Sequence, residues 1–401
     1  MPATLATASA LLKEIYEPKM NKQLNEEVVA LRRIERSSEG VTNEVGGRYV
    51  TFPIHTRRNS GIGARNELEA LPTPGQQGHA AGRVGLKYQY GSIRLSGQAM
   101  KLAETNYQSF ASVLDSEVTG LKNDLAKDLN RQVYGTHRGA IGVFEATASS
   151  NVLDVEDVMY AQLGMQIDII DGTTLGSASP TVKASNRQII DIDTDNNTIE
   201  IDGAALAVAA GDIFVRTGNI NREWTGLTEI VSNTGTLYNI DPTVEPLWKA
   251  HVDSNGGTPR ALSEGLMIGV ADKIRAAGSY PTVAFMNLGV RRAYWNLLVQ
   301  QRQFVNTKEF DGGFTGLAFT TDKGEIPMVS DTDAPKNKIF FVNEKEIKVY
   351  RESDWSWMDM DGSRWQRVIG YDAYEATMYQ YSELGTHRRN SHAVLEDLIE
   401  G

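Results

Sequence analysis

The sequence predicts an α+β protein, and three observations lead to this fold class. Residues 97–134 show one long amphipathic helix pattern, because apolar side chains recur there at steps of three and four residues. Short segments typical of β-strands, separated by turn residues, fill residues 47–95, 152–245 and 316–382. In residues 262–302, by contrast, two helical patterns enclose one buried strand pattern. Helices and strands are therefore both expected, mostly in separate stretches.

The N-terminal segment is predicted to be an arm without a core of its own. A helical pattern covers residues 8–37, with a break at Pro18. Its apolar positions are Ala10, Leu11, Ile15, Leu24, Val28, Val29, Leu31 and Ile34. This surface is too small to form a core, so we expect the segment to lie on another part of the structure.

Residues 47–95 predict a long two-stranded arm that projects from the body. The segments "RYVTFPIHT" and "GLKYQYGSIRLSG" alternate between apolar and polar residues, and we predict them as its two strands. About 25 residues rich in Gly, Pro and polar side chains separate them. A loop of this length is uncommon inside a compact domain and usually has a function.

The helix pattern of residues 97–134 predicts a long spine that buries one face. Its apolar positions are Phe110, Leu114, Val118, Leu121, Leu125, Leu129 and Val133. Asp124–Lys127 and Asp128–Arg131 are spaced as charge pairs of the solvent-exposed face. Gly135 is the expected end of the helix. From Tyr107 to Tyr134 the helix would be about 42 Å long, lying on a sheet or on another subunit.

Composition excludes several classes of protein. The chain has no cysteine, which excludes disulfides, thiolate metal sites and a cysteine nucleophile. No stretch approaches the about 18 consecutive apolar residues of a membrane span, and the N-terminus does not resemble a signal peptide. We therefore expect a soluble product of the cytoplasm.

The net charge of −11 is unevenly distributed. Residues 1–95 carry a net charge of +4, and the remaining residues carry −15. Nonspecific DNA binding requires clustered cations, so this chain is not expected to coat DNA by charge neutralisation. The basic front part could instead contact an acidic surface of a sister subunit.

The segment "DIDTDNNTIEID" allows two interpretations. Its acidic and amide residues Asp191, Asp193, Asp195, Asn197 and Asp202 occupy positions 1, 3, 5, 7 and 12 of a calcium-binding loop. However, position 6 is not Gly and position 12 is not Glu, and the flanking isoleucines alternate as in strands. A β-hairpin with a turn of Asp and Asn residues explains the same pattern.

The C-terminal segment "GTHRRNSH" could be a catalytic pair, a metal site, a phosphate site or a subunit contact. His387 and His392 are five residues apart, which places them on opposite sides of a strand and on different faces of a helix. No carboxylate stands near them at metal-ligand spacing, whereas Arg388 and Arg389 could bind phosphate or a neighbouring subunit.

Two further segments carry weak signals. The three tryptophans of "WSWMDMDGSRW" could stack on a sugar or a base, or could be packed aromatics of a core or interface. The segment "GIGARN" lacks the third glycine of a dinucleotide-binding loop. No catalytic constellation remains, and the predicted arms and spine would be exposed in a monomer. We therefore expect the partner of this protein to be a copy of itself.

The chain resembles the major capsid proteins of tailed bacteriophages with the Hong Kong 97 fold, particularly those of phages of actinobacteria. The segments that carry this resemblance are "LNEEVVALRRIERSS", "YVTFPIHTRRNSGIGAR", "GLKNDLAKDLNRQVYG", "GVRRAYWNLLVQQRQFVNTKEFDGGFTGLAF" and "GYDAYEATMYQYSELGTHRRNSHAVLED". The resemblance implies an N-arm (1–46), an E-loop (47–95), a peripheral domain with the spine helix (96–150), an inserted β domain (151–245), an axial domain (246–320) and the return of the peripheral domain (321–401).

The resemblance also implies a function. The chain would assemble into pentamers and hexamers of an icosahedral shell around double-stranded DNA, with no enzymatic activity and no cofactor. Its partners would be copies of itself, a separate scaffolding protein, a portal at one vertex and a decoration protein, in the virion and, during assembly, in the host cytoplasm. The alternatives are an encapsulin-type nanocompartment shell and a metal-dependent hydrolase.

Six residues are predicted to contact neighbouring subunits. They are Arg57, Arg58, Arg65, His387, Arg388 and Arg389. Residues 57–82, the tip of the predicted E-loop, contain no lysine, so a covalent cross-link through an E-loop lysine is not expected. His387 and His392 would become charged between about pH 7 and pH 5 and could change the contacts at this boundary.

Overall fold

The structure is a computed structural model that describes residues 27–37, 49–98, 107–301, 308–310, 314–321, 323–359 and 362–401. Within these ranges, only the backbone is described for 35–37, 107–116, 299–301, 308–310 and 314–316. None of the helices in these ranges is long and apolar enough to cross a membrane.

The helices are α1 (Ala30–Arg33), α2 (Tyr107–Tyr134), α3 (Leu227–Ile230), α4 (Glu264–Ala276) and α5 (Leu288–Gln301). The spine, α2, ends directly before Gly135 as predicted. The N-terminal helix prediction is correct for Ala30–Arg33 and wrong for Glu35–Ser37, which forms a strand that pairs with β19. Ala10, Leu11, Ile15 and Leu24 of that prediction lie outside the described residues.

The strands are β1 (Glu35–Ser37), β2 (Tyr49–Arg57), β3 (Gly78–Gly85), β4 (Lys87–Ser96), β5 (Ala140–Val143), β6 (Ala148–Ser150), β7 (Val152–Asp154), β8 (Gln166–Ile170), β9 (Val182–Asp193), β10 (Thr198–Ile201), β11 (Leu206–Val208), β12 (Ile213–Arg216), β13 (His251–Asp253), β14 (Val283–Met286), β15 (Lys308–Phe310), β16 (Phe314–Thr321), β17 (Gly324–Ser330), β18 (Ile339–Val342), β19 (Ile347–Arg351), β20 (Ser356–Trp357), β21 (Gln366–Arg367), β22 (Ala373–Thr386) and β23 (Ala393–Leu395).

The spine packs on a six-stranded sheet built around the long strand β22. Its path runs β1-β19-β22-β20, and β4 and β21 also pair with β22. A side chain at Gly91 on β4 would come within 2.9 Å of Leu121 and Leu125, so the absence of a side chain there lets the helix approach the sheet. Leu129 and Val133 continue this apolar face into the central core, where they are buried, whereas the earlier positions Val118, Leu121 and Leu125 are half-buried.

A seven-stranded sheet forms a second body, in the order β13-β23-β18-β14-β17-β16-β15. Helices α4 and α5 contribute Met267, Val270, Ile274, Val290 and Tyr294 to a separate apolar cluster on this sheet. Other side chains of the same strands, such as Phe285 and Phe340, enter the central core with the spine. The sheet therefore joins the two cores.

A third body is the β insert, a sheet with the order β5-β12-β8-β9-β10-β7 and its own apolar cluster. Its first strand starts at Ala140, before the predicted border at residue 151. At the other end, Trp224 and Leu227 belong to the central core and not to the insert. The strands of the insert thus occupy an earlier and shorter stretch than the predicted 151–245, and the division into domains stays a prediction.

The projecting arm is a hairpin of β2 and β3, which pair antiparallel. The second strand predicted for this arm is wrong, because "KYQYGSIRLS" forms β4 and pairs with β22 instead. The true partner strand was overlooked since it is rich in small residues. At Gly82 a side chain would collide with the Phe52 ring, so glycine is required for the two strands to pack at this point.

Candidate assembly site

The C-terminal segment forms a tight corner between two sheets. Strand β22 ends at Thr386, one turn of 3-10 helix covers Arg389–Ser391, and β23 begins at Ala393. The chain thereby leaves the six-stranded sheet and enters the seven-stranded sheet within six residues. The turn, and not a continuous strand, decides where each of the four basic side chains points.

Arg389 lies inside the subunit, which corrects its prediction as a subunit contact. Only 1% of the residue is exposed. Its guanidinium donates hydrogen bonds to the carbonyl oxygens of Glu229, Ile230, Thr234 and Gly235, at 2.9–3.1 Å. The guanidinium therefore binds the carbonyl groups at the end of α3 and in the loop that follows. Burial lowers its pKa to about 10, so the group stays charged at neutral pH.

His392 is also a core residue. Its Nδ1 accepts a hydrogen bond from the backbone N–H of Asn343, and Nε2 is 3.0 Å from the hydroxyl of Thr386. Burial lowers its pKa to about 3. The prediction that His392 becomes charged between pH 7 and pH 5 is therefore wrong, because the ring is buried and both of its nitrogens have hydrogen-bond partners in the neutral form.

His387 and Arg388 are directed towards the surface. His387 is exposed and contacts the Tyr350 hydroxyl through Nε2. Arg388 is half-buried, and it donates hydrogen bonds to the backbone oxygen of Ala277 and to the side chain of Asn390. Both side chains keep a face that a neighbouring molecule could contact.

Five of the six predicted contact residues line one cleft. This cleft has a volume of about 1170 Å³ and is bounded by the end of β2, residues 246–252, the end of α4 and the C-terminal corner. The predicted residues in its wall are Arg57, Arg58, His387, Arg388 and Arg389. The two arginines of the hairpin are more than 300 residues away from His387, Arg388 and Arg389 in the sequence. Their spacing could therefore not predict that they lie in one cleft.

Arg65 is the sixth residue and lies away from this cleft, in the tip of the hairpin. Its guanidinium donates hydrogen bonds to the backbone oxygens of Ala64 and Ala70, and so it shapes the tip. Asn59 ties the two ends of the tip together, because its Oδ1 accepts from the N–H groups of Gly61 and Gly75. The tip is thus a defined loop with little burial of its own side chains.

The comparisons with known proteins decide the family. A family model for the SU10 major capsid protein matches residues 186–398, just over half of the chain. The chain belongs to this family. No curated protein sequence matches it. This capsid protein is also similar to a solved cyanophage A-1(L) capsid asymmetric unit, with 14% identity, a TM-score of 0.60 and 99% of each chain covered.

Two further structural neighbours are more distant from this capsid protein. A chain from Mycobacterium phage Bobi has 10% identity and a TM-score of 0.49, with 99% of each chain covered. The holo-SrpI encapsulin complex from Synechococcus elongatus PCC 7942 has 8% identity and a TM-score of 0.46, covering 100% of this chain and 96% of that one. The predicted α+β fold of the Hong Kong 97 type is confirmed by the cyanophage match, and the family favours a phage capsid over an encapsulin.

The capsid subunit contains a buried polar cluster that the sequence did not indicate. Asn130 of the spine donates to the carboxylates of Asp331 and Asp333, and Asp331 also accepts from Tyr134 Oη and the N–H of Ala30. Lys127 pairs with Asp333 at 2.9 Å. This cluster fixes the entry of the N-terminal segment on the spine. The only signal for it was the pair of aspartates in "SDTDAP", which resembles an ordinary turn.

A second buried cluster corrects the charge pairing predicted for the spine. Arg131 pairs with Asp128 as expected at 3.1 Å, but it is buried and also binds Glu223 at 2.7 Å. Asp128 also forms an ion pair with Arg216, at the end of strand β12, at 3.2 Å. The pair was expected on the solvent-exposed face, whereas it joins the spine to the β insert.

The Asp- and Asn-rich segment is a hairpin, as the second interpretation predicted. Strands β9 and β10 pair antiparallel around it. The carboxylate of Asp193 accepts hydrogen bonds from the N–H groups of Asp195 and Asn196 and from the Asn196 amide, which closes the turn. Among the residues that the structure describes, no group of three or more His, Asp or Glu side chains could hold a metal ion.

Glu383 on β22 is a buried carboxyl group that forms no ion pair with any residue in the described ranges. Its Oε1 accepts from the N–H groups of Thr225 and Leu384, at 2.7 and 3.1 Å. Burial raises its pKa from 4.5 to about 8, although the charge of Lys87 acts in the opposite direction. The group is therefore protonated in the folded subunit at neutral pH.

This pKa predicts how the stability of the subunit depends on pH. Between pH 4.5 and 8 the folded chain keeps a proton that the unfolded chain has released, so stability falls as pH rises through this range. Glu383→Gln keeps the acceptor and removes the titration. We expect the melting temperature of the wild type to fall relative to that of the variant between pH 5.5 and 8.5; parallel profiles would contradict this assignment.

Proposed function

We propose that this capsid protein assembles into pentamers and hexamers that close an icosahedral shell around double-stranded DNA. The observation that carries this proposal is the projecting hairpin, whose tip exposes Ile62, Leu68 and Leu71 by 84–101%. Apolar side chains on a projecting tip are a feature of interaction sites. A shell made of copies of this chain gives every tip a neighbouring surface.

The charge distribution supports the same function. Residues 96–401 carry a net charge of −15, and this acidic body would repel the phosphates of packed DNA and leave the DNA unattached. Base-specific binding is not part of the proposal. A separate scaffolding protein, a portal at one vertex and a decoration protein would complete the particle, which forms in the host cytoplasm, and the protein itself would have no enzymatic role.

The domain division and the contact residues belong to this proposal as well. The divisions are the N-arm (1–46), E-loop (47–95), peripheral domain (96–150 and 321–401), inserted β domain (151–245) and axial domain (246–320). We place Arg57, Arg58, Arg65, His387 and Arg388 at subunit boundaries, because their side chains are exposed or half-buried in the single chain. Arg389 acts within the subunit.

Purified virions test the proposal. We expect this 44.1 kDa chain to be their most abundant protein. We also expect nuclease treatment to leave double-stranded DNA inside intact particles and to digest it after the particles are disrupted. A chain that is absent from virions, or particles that carry only protein cargo, would contradict the proposed function.

A further inference from the structure

Two histidines of the projecting hairpin lie directly opposite each other. His55 of β2 is paired with His79 of β3 in the antiparallel register, and both residues are exposed. Along β2 exposed residues alternate with more buried ones, so His55 belongs to the outer face of the hairpin. Side chains that lie opposite each other in an antiparallel pair are close enough to bind one ligand together.

The two imidazole rings are separated by a distance that suits one shared metal ion. Their centroids are 5.3 Å apart, and their planes are inclined by 47°. Zn–N bonds are about 2.0–2.1 Å long, so two imidazole rings on one tetrahedral zinc ion have their centroids about 5 Å apart. An ion could therefore bind to both rings without any change in the register of the two strands.

Gln77 holds one of the two rings in a form that can bind a metal ion. The Nε2 atom of His55 is 2.6 Å from Oε1 of Gln77. An amide oxygen only accepts hydrogen bonds, so Nε2 is the donor and Nδ1 keeps the lone pair that a metal ion requires. Histidines that bind metal ions almost always donate their other ring N–H in this way, which fixes the orientation of the ring.

The charges around the histidine pair are compatible with a bound cation. The next pair on the same face consists of Pro53 and Ala81, which are small and uncharged. On the other side, the positive charge of Arg57 is compensated by Glu245 at 2.9 Å. Water can occupy the remaining coordination positions of the ion, because both histidines are exposed.

We propose that His55 and His79 together bind a divalent transition-metal ion such as Zn²⁺, and that this ion links the two strands of the hairpin. Imidazole nitrogen suits Zn²⁺, Ni²⁺ and Cu²⁺, whereas Mg²⁺ and Ca²⁺ prefer oxygen ligands. The link stabilises a hairpin whose second strand consists largely of glycine and alanine, residues that contribute little to cross-strand packing. This metal site is additional to the proposed function and does not depend on it.

Titration of the untagged, full-length subunit with zinc tests the site. Calorimetry in a buffer without chelators should show one Zn²⁺ bound per chain, and Ca²⁺ or Mg²⁺ should give no heat of binding. His55→Ala and His79→Ala should each weaken zinc binding at least about 100-fold, and Gln77→Ala should weaken it about tenfold. The matched control His137→Ala removes a histidine outside the hairpin, which pairs with Glu229, and it should bind zinc like the wild type.

Hydrogen exchange measures whether the bound ion links the two strands. At a free zinc concentration of 100 times the Kd, any opening of the hairpin that releases the ion becomes about 100-fold rarer. The backbone amides of residues 49–57 and 78–85 should therefore exchange up to about 100-fold more slowly when zinc is added to the wild type. Zinc should change neither the exchange of these amides in His79→Ala nor the exchange of residues 198–201 in the β insert.

Four results would overturn the proposal. They are a wild type that binds no zinc, zinc binding that persists in both histidine variants, a loss of binding only in His137→Ala, and hairpin exchange that bound zinc does not slow. Because His55 and His79 are exposed, their alanine variants should melt at the temperature of the wild type in the absence of zinc. This comparison separates the loss of a metal ligand from a loss of the fold.

Discussion

Arg389→Ala is expected to prevent the subunit from folding stably. The substitution removes the donor for four backbone oxygens in a region closed to water. A hydrogen bond to a charged group contributes about 1.5–3 kcal/mol, so the loss of the cluster should cost at least about 3 kcal/mol of unfolding free energy. This is a large part of the about 5–15 kcal/mol that stabilises a typical domain. Thermal unfolding followed by circular dichroism measures the effect.

Arg388→Ala is the matched control for this experiment. The neighbouring arginine is half-buried and donates to one backbone oxygen and one side chain, so its loss should cost less than about 1 kcal/mol. Arg389→Lys should give an intermediate loss, because a lysine keeps the charge and cannot reach all four oxygens. Equal melting temperatures for Arg388→Ala and Arg389→Ala would contradict the position of Arg389 inside the subunit.

Val133→Asp is expected to have an effect of similar size for a different reason. Val133 is completely buried where the spine enters the central core. An aspartate there would be an unpaired charge away from water, and the expected loss exceeds about 4 kcal/mol. The protein should be insoluble on expression and should yield no shells. The fraction of soluble protein and the yield of particles on a sedimentation gradient measure this.

Lys122→Asp is the control on the same helix. Its side chain is exposed, so the same new residue should change the unfolding free energy by less than about 1 kcal/mol. The loss of unfolding free energy for Leu121→Asp should lie between the losses for Val133→Asp and Lys122→Asp, because Leu121 is half-buried against Gly91 of strand β4. If Val133→Asp gave soluble shells at the yield of Lys122→Asp, the apolar stripe would not be a buried face.

Local sequence patterns were sufficient to predict the spine helix, its end at Gly135 and the hairpin of the β insert. Each depends on a period or a turn contained in a short stretch of sequence. The partner strand of the arm was missed for a physical reason. Strand β3 is rich in glycine and alanine, and it pairs because the Phe52 ring covers Gly82, a contact that strand propensity does not express.

The basic C-terminal segment shows the limit of sequence reasoning about the site. Arg388 and Arg389 are adjacent and chemically identical, yet one lies at the surface and the other donates to the end of α3. The 3-10 turn makes this difference, and its buried oxygens come from residues about 155 positions earlier in the chain. The sequence predicted a subunit contact for both residues, because the acceptors of Arg389 are backbone oxygens and these produce no recognisable pattern of residue types.

An image reconstruction of assembled particles by electron cryomicroscopy tests the central claim most directly. The subunit should keep the fold described above, and copies of it should form the rings of five and six that build the shell. A protein that remains monomeric under all assembly conditions, or a shell that does not contain this chain, would contradict the account.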